Sequence, residues 1–245
     1  MRKIFSLPLA AAALFTLSST ASADVLVFYT DDTTQTPINN EYTINPIAPH
    51  APFQYSASKS WWSRATDSGF PVNPAPSGTI AEKQTATVTA NSYVEFGLNA
   101  VEGYQISIDQ VDILVQPQSL TGTDAPATEP MTLTVFLRSS LDNYESTLAV
   151  ISSSIPGREV GGAVVTNPVT LTADALPTEF NTISGTVNFR AYAYIETEES
   201  SFYQVARLDN IEINGTTSAI PESATVGLFG GVFALAVLLL ARRRR

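Results

Sequence analysis

The chain has no cysteine, so it has no disulfide, no thiolate metal ligand, no thiol nucleophile and no acceptor for an N-terminal lipid anchor. Histidine occurs once, at His50, which leaves a single imidazole for any Ser-His-Asp chemistry. Positive charge is scarce as well. Away from the two ends it is carried only by Lys59, Arg64, Lys83, Arg138, Arg158, Arg190 and Arg207. Between Asp24 and Ala219 these seven face 22 acidic residues, a net charge of −15 against −10 for the whole chain. Such a surface repels nucleic acid and anionic lipid, so no nucleic-acid partner is expected. It suits a salty exterior, divalent cations or neutral polysaccharide, and it also serves plain solubility.

Long apolar runs are confined to the ends, and both read as trafficking signals. Met1-Arg2-Lys3 is a short positive region, followed by an apolar run from Ile4 to Leu17 broken only by Ser6, Pro8 and Thr16. Ala21-Ser22-Ala23 then supplies a small-x-small cleavage site. Residues 1–23 are therefore expected to be a signal peptide, cut by signal peptidase between Ala23 and Asp24. At the other end, Ala224 to Ala241 has Thr225 as its only polar side chain and is followed at once by Arg242, Arg243, Arg244 and Arg245. A helix of that length is about 27 Å long, close to the hydrocarbon thickness of a bilayer. The four arginines hold its end in the cytoplasm, and the signal peptide demands the same topology. Gly227 and Gly231 form a small-xxx-small pair, either a packing face for another helix or a chance spacing.

Ile220-Pro221-Glu222, a single hydrophobic helix and Arg242 to Arg245, in that order, resemble the PEP-CTERM sorting signal over residues 220–245. The resemblance implies an exosortase as partner, a transpeptidase-like membrane enzyme of Gram-negative bacteria that make exopolysaccharide, with processing at Pro221 and Glu222. Where the family has a second proline this chain has Ser223. Pro221 disfavours helix just before it, which leaves an extended stretch for a processing enzyme, or a linker that is never cut.

The 196 residues between the signals suffice for one sizeable core. Their pattern is β. Leu133, Val135 and Leu137 fall on one face of an alternating run from Thr132 to Arg138, and Val187, Phe189, Ala191, Ala193 and Ile195 alternate with Asn188, Arg190, Tyr192, Tyr194 and Glu196. Further strands are expected at 25–30, 42–47, 93–98, 104–108, 111–116, 148–154, 163–171 and 205–214. No segment sustains a 3.6-residue period, so no helix is expected between the signals. Turn-rich gaps at 122–126, Pro156-Gly157, Gly161-Gly162 and Asn214-Gly215 complete the pattern. The fold expected is all-β: an antiparallel sandwich, jelly-roll-like, over 24–219. Val25 should pair near Ile211 or Ile213, bringing both ends of the body to one base. Tyr93-Val94-Glu95-Phe96, Gly103-Tyr104, Ile106-Ser107-Ile108 and Leu208-Asp209-Asn210-Ile211 are similar to segments of exported β-sandwich proteins with PEP-CTERM tails.

Residues that could carry chemistry are few. His50 lies in a proline-stiffened loop and reads as exposed. Trp61-Trp62, with Phe53, Tyr55 and Phe70 nearby, is the best candidate for stacking on sugar rings. Adjacent strand residues point to opposite faces, so at most one of the pair would meet a ligand. Asp31-Asp32 and Glu196, Glu198, Glu199 are acidic patches without calcium-loop spacing; calcium is the only cofactor they raise, and solvated charge explains them. Two facing carboxylates could hydrolyse a glycoside, but 22 acids single out no pair. Asn214-Gly215-Thr216 matches the glycosylation sequon and reads as a turn after the last strand. With two trafficking signals and no catalytic motif, the expectation is a non-enzymatic surface or matrix protein contacting exopolysaccharide. The alternatives are a polysaccharide-acting hydrolase or lyase, and a matrix filler without a specific ligand.

Overall fold

A computed structural model of the protein describes residues 23–29, 37–50, 53–56, 61–64, 78–119, 128–198 and 206–220. Their strands form two antiparallel sheets. The first sheet runs in the order β3 (Phe53–Ser56), β4 (Trp61–Arg64), β11 (Ala206–Ala219), β6 (Tyr104–Pro117), β9 (Val169–Ala173), with β1 (Asp24–Tyr29) also on β11. The second runs β2 (Tyr42–Pro49), β5 (Tyr93–Ala100), β10 (Thr186–Thr197), β7 (Met131–Ser139), β8 (Ala149–Ile155). From β4 onward the chain changes sheet at most connections, and its first and last strands are neighbours. Val27 lies opposite Ile213 and Tyr29 opposite Ile211, the expected meeting of the two ends.

The core lies between the sheets, built from the inward half of each alternating strand. Val187, Phe189, Ala191, Ala193 and Ile195 of β10 meet Val111, Ile113 and Val115 of β6 and Ile211 and Ile213 of β11 in one cluster. Phe96 stacks on Phe189 with ring centroids 5.6 Å apart. Two tyrosines tie the sheets together reciprocally. The Tyr29 hydroxyl of β1 donates to the Asn45 carbonyl at 2.7 Å, and the Tyr42 hydroxyl of β2 donates to the Leu26 carbonyl at 2.6 Å.

The structure corrects the sequence reading in four places. First, the segments expected at 104–108 and 111–116 are one 14-residue strand. A bulge at Asp109 shifts the register against β11, which reverses the alternation phase between Ile108 and Val111. Second, Asn214-Gly215 is no turn but the interior of β11. A Cβ on Gly215 would lie 2.0 Å from the Ser107 carbonyl oxygen, so glycine is there to let two backbones approach at the bulge. Third, strand β9 begins only at Val169, and the chain before it runs through an exposed turn at Gly161, whose φ is +80°.

Fourth, there is a helix, α1 (Ile80–Thr89). Thr79 caps it: its side chain accepts from the Glu82 N–H, and the Glu82 carboxylate accepts from the Thr79 N–H at 2.7 Å. Its buried residues are Gln84 and Thr87, so no apolar stripe marks it. Thr85, Thr87 and Thr89 each donate to the carbonyl four residues earlier, which satisfies hydroxyls that otherwise favour a strand or a cap. Asn91, at φ 53°, ends the helix in the left-handed region. Among the described residues no helix is long and apolar enough to cross a membrane; residues 224–241 lie outside them.

Candidate functional site

The two sheets treat their outward faces differently. On the second sheet, Tyr93, Phe136, Tyr192 and Tyr194 point outward yet are buried, with Val88 of α1 packed against them. Lys83 of α1 forms an ion pair with Glu196 of β10, and Thr147 donates to Gln84 at 3.1 Å. Beyond the helix the same face carries a cation cluster. The Arg190 Nε donates to Glu95 at 2.7 Å, while its guanidinium sits 3.8 Å from the Tyr144 ring centre and 4.5 Å from that of Tyr93. The Tyr144 hydroxyl donates to the same Glu95 carboxylate at 3.2 Å. Burial is the largest single influence on Arg190 and works against its charge, but the Glu95 hydrogen bond together with Tyr192 and Tyr144 outweighs it and holds the guanidinium above the ordinary arginine range. Burial, then the Glu95 charge, pushes Tyr144 up to about 12. The arginine occupies the ring faces that could have stacked on a ligand, so the cluster is closed on itself.

Among the described residues the first sheet keeps an open face. Its outward side holds a groove of about 410 Å³ crossing β1, β11, β6 and β9. One row of paired residues forms its middle: Phe28 opposite Glu212, Glu212 opposite Asp112, Asp112 opposite Thr172. Their chain neighbours Val27, Ile213, Val111 and Ala173 are buried in the core, so alternation turns this row outward. Phe28 is 39 % exposed. Asp112 is held on both oxygens, accepting from Gln110 Nε2 and from the Thr172 hydroxyl at 2.6 Å. Leu114 and Thr170, themselves paired, extend the groove along β6 and β9.

Two bulges flank the groove. One extra residue, Asp109, stands in β6 opposite the Asn214–Gly215 step. Another, Asn210, stands in β11 between Asp209 and Glu212 with φ 45°. Bulges increase local twist and re-aim side chains, and here they bracket the paired carboxylates. Asp112 and Glu212 lie directly opposite on neighbouring strands, an arrangement that costs free energy between like charges. At the Asn210 end, burial raises the Asp209 carboxyl above its usual range and lowers Arg207 to about 10, with Asp209 opposing that fall.

The residues singled out from sequence are dispersed. Ala23 is exposed and Asp24 opens β1. Trp61 and Trp62 lie on β4, with Trp62 in register with Leu208 of β11 and Tyr55 of β3. They thus belong to the sheet that carries the groove. His50 is exposed after β2, its ring stacked 4.4 Å from that of Tyr93. Glu196 is taken by Lys83, and Glu198 is exposed. Pro221, Glu222 and Arg242 to Arg245 lie outside the described residues, as do Asp31, Asp32 and Glu199. Among the described residues no group of three or more histidines, cysteines and carboxylates could hold a metal ion. The groove residues escaped notice because each is an ordinary outward position. Alternation gives the direction of Asp112 and Glu212, but only strand register makes them neighbours.

No family model matches the chain, and no curated protein matches it. Among solved structures it is similar to the Stig cyclase Fisc from Fischerella sp. TAU, in complex with (3Z)-3-(1-methyl-2-pyrrolidinylidene)-3H-indole, at 11% identity over 85% of this chain and 96% of that chain. The TM-score is 0.25, and a likeness of that degree carries no argument about fold or function.

Proposed function

We propose that the protein is an exported, non-catalytic surface or matrix protein whose sandwich contacts exopolysaccharide, as a component of a biofilm matrix. In this reading signal peptidase removes residues 1–23, and residues 224–241 span the inner membrane of a Gram-negative bacterium as a helix, with Arg242 to Arg245 on the cytoplasmic side. An exosortase then cuts near Pro221-Glu222 and passes the body to the surface or the matrix. The supporting observation is that, among the described residues, the first strand opens at Asp24 and the last closes at Ala219, within the limits expected for the two sorting signals. Because Asp24 lies opposite Gly215 in paired strands, the chain enters and leaves the sandwich from one end, as a body on a single tether would.

The finer fold reading is a jelly roll. The orders 1-11-6-9 and 2-5-10-7-8 match such a wrap if β5, which stands between β2 and β10, is counted as an added strand in the second sheet. Intact mass of the protein from its native host tests the sorting. A mature form from Asp24 to a residue near Glu222 is expected; a form that keeps Arg245 would overturn the sorting step and leave a plain single-span membrane protein.

One observation favours the enzyme reading: Asp112 and Glu212 form a carboxylate pair, in register within a groove. Two carboxyls on either side of a glycosidic bond are the machinery of glycoside hydrolysis. Release of reducing sugar, abolished by both Asp112→Asn and Glu212→Gln, would replace the non-catalytic reading with this one.

A further inference from the structure

The outward groove of the first sheet, rather than the tryptophan pair, is where the physical features of a sugar site converge. A glycan ring presents an apolar face and an edge of hydroxyls. Phe28 offers an exposed ring at one side of the groove, and Leu114 adds an apolar patch on β6. Between them stand three acceptor groups, the Asp112 and Glu212 carboxylates and the Gln110 amide oxygen, beside the Thr170 hydroxyl and the Asn210 amide, while one Gln110 Nε2 proton and the Thr172 hydroxyl already serve Asp112. Ionised carboxylates accept and never donate, so their partner must bring donors.

Charge narrows the partner further. Among the described residues no basic side chain lines the groove, and the two carboxylates are direct cross-strand neighbours. Their mutual repulsion is relieved by a partner whose O–H or N–H groups bridge them, and worsened by another anion. Asp112 needs no reorganisation to serve, since Thr172 and Gln110 already hold its carboxylate in place. The closed Arg190 cluster on the opposite sheet has the reverse character, with its rings covered and its cation neutralised.

We propose that this groove binds a glycan free of acidic sugars, with Phe28 stacking on a ring and Glu212 and Asp112 accepting from its hydroxyl or amino groups. The inference rests on the exopolysaccharide reading above and names the sugar class and the site. Neutral and amino-sugar chains bind; uronic acid chains do not.

Calorimetric titration of the full chain in detergent tests this with three probes: cellohexaose, the glucosamine hexamer and an alginate oligomer. Binding of the first two is expected, tighter for the glucosamine hexamer and weakened by salt, with alginate silent. Phe28→Ala and Glu212→Gln should each weaken binding about tenfold while circular dichroism stays unchanged. Binding that survives both variants but is lost in Trp61→Ala or Trp62→Ala would overturn the groove and leave the exopolysaccharide reading intact. Alginate binding as tight as cellohexaose would overturn the sugar class. Silence toward all three probes would overturn the inference, while the mass of the mature chain separately decides the sorting.

Discussion

Single residues hold this fold at points where no substitute fits. Gly215 sits where β11 crosses the β6 bulge, and a methyl group there would meet the Ser107 carbonyl oxygen at 2.0 Å. Backbone atoms cannot yield as the end of a side chain can. Gly215→Ala is therefore expected to cost about 1–3 kcal/mol, through forced separation of the two strands. A lower urea midpoint with an unchanged slope would record it, and an unchanged midpoint would contradict the close approach. Tyr29 makes a second such point. Its hydroxyl lies 2.7 Å from the Asn45 carbonyl and 3.0 Å from the Gly97 carbonyl, both on the opposite sheet, and shares its one proton between them. Tyr29→Phe keeps the ring against Phe96 and removes only those bonds, so the expected loss is about 1–2 kcal/mol by chemical denaturation.

At the scale of elements, α1 depends on its cap more than on its packing. Its buried side chains are the polar Gln84 and Thr87, with Val88 alone against the aromatic patch, so loss of the Thr79 to Glu82 box should be felt locally. Thr79→Ala is expected to destabilise the helix by about 1 kcal/mol. Hydrogen exchange should then quicken in residues 80–89 while the strands keep their protection; uniform quickening would instead mean that helix and sandwich unfold together. The same helix shows why part of the fold was illegible. Strands announced themselves because one face of each is apolar, and most stand where alternation put them. The helix replaces an apolar stripe with Gln84 and Thr87, leaving Thr79-Ile80-Ala81-Glu82 as its one readable mark. Bulges hid the continuity of β6 by reversing its phase. The groove was unreadable for a different reason: Phe28, Asp112, Thr172 and Glu212 are far apart in the chain and meet only through register.

For the molecule as a whole, the tyrosines set how stability responds to alkali. Burial raises Tyr29, Tyr42 and Tyr93 above the ordinary tyrosine value, and burial with the Glu95 charge brings Tyr144 up to about 12. In the unfolded chain all four lose their protons near pH 10. Above that pH the folded state holds more protons than the unfolded one, so raising the pH favours unfolding. Their contribution to stability is complete below about pH 10 and is lost as pH climbs through the folded values. Net negative charge also grows in alkali and pushes the same way, but salt separates the two effects. Repulsion among surface carboxylates is screened at high ionic strength, whereas the buried phenols are not. The melting temperature should therefore fall between pH 9 and pH 11 even in molar salt, and the fall should be shallower in Tyr29→Phe. A slope that disappears in salt would assign the effect to the net charge of −15 on the body rather than to the tyrosine clasps between the sheets.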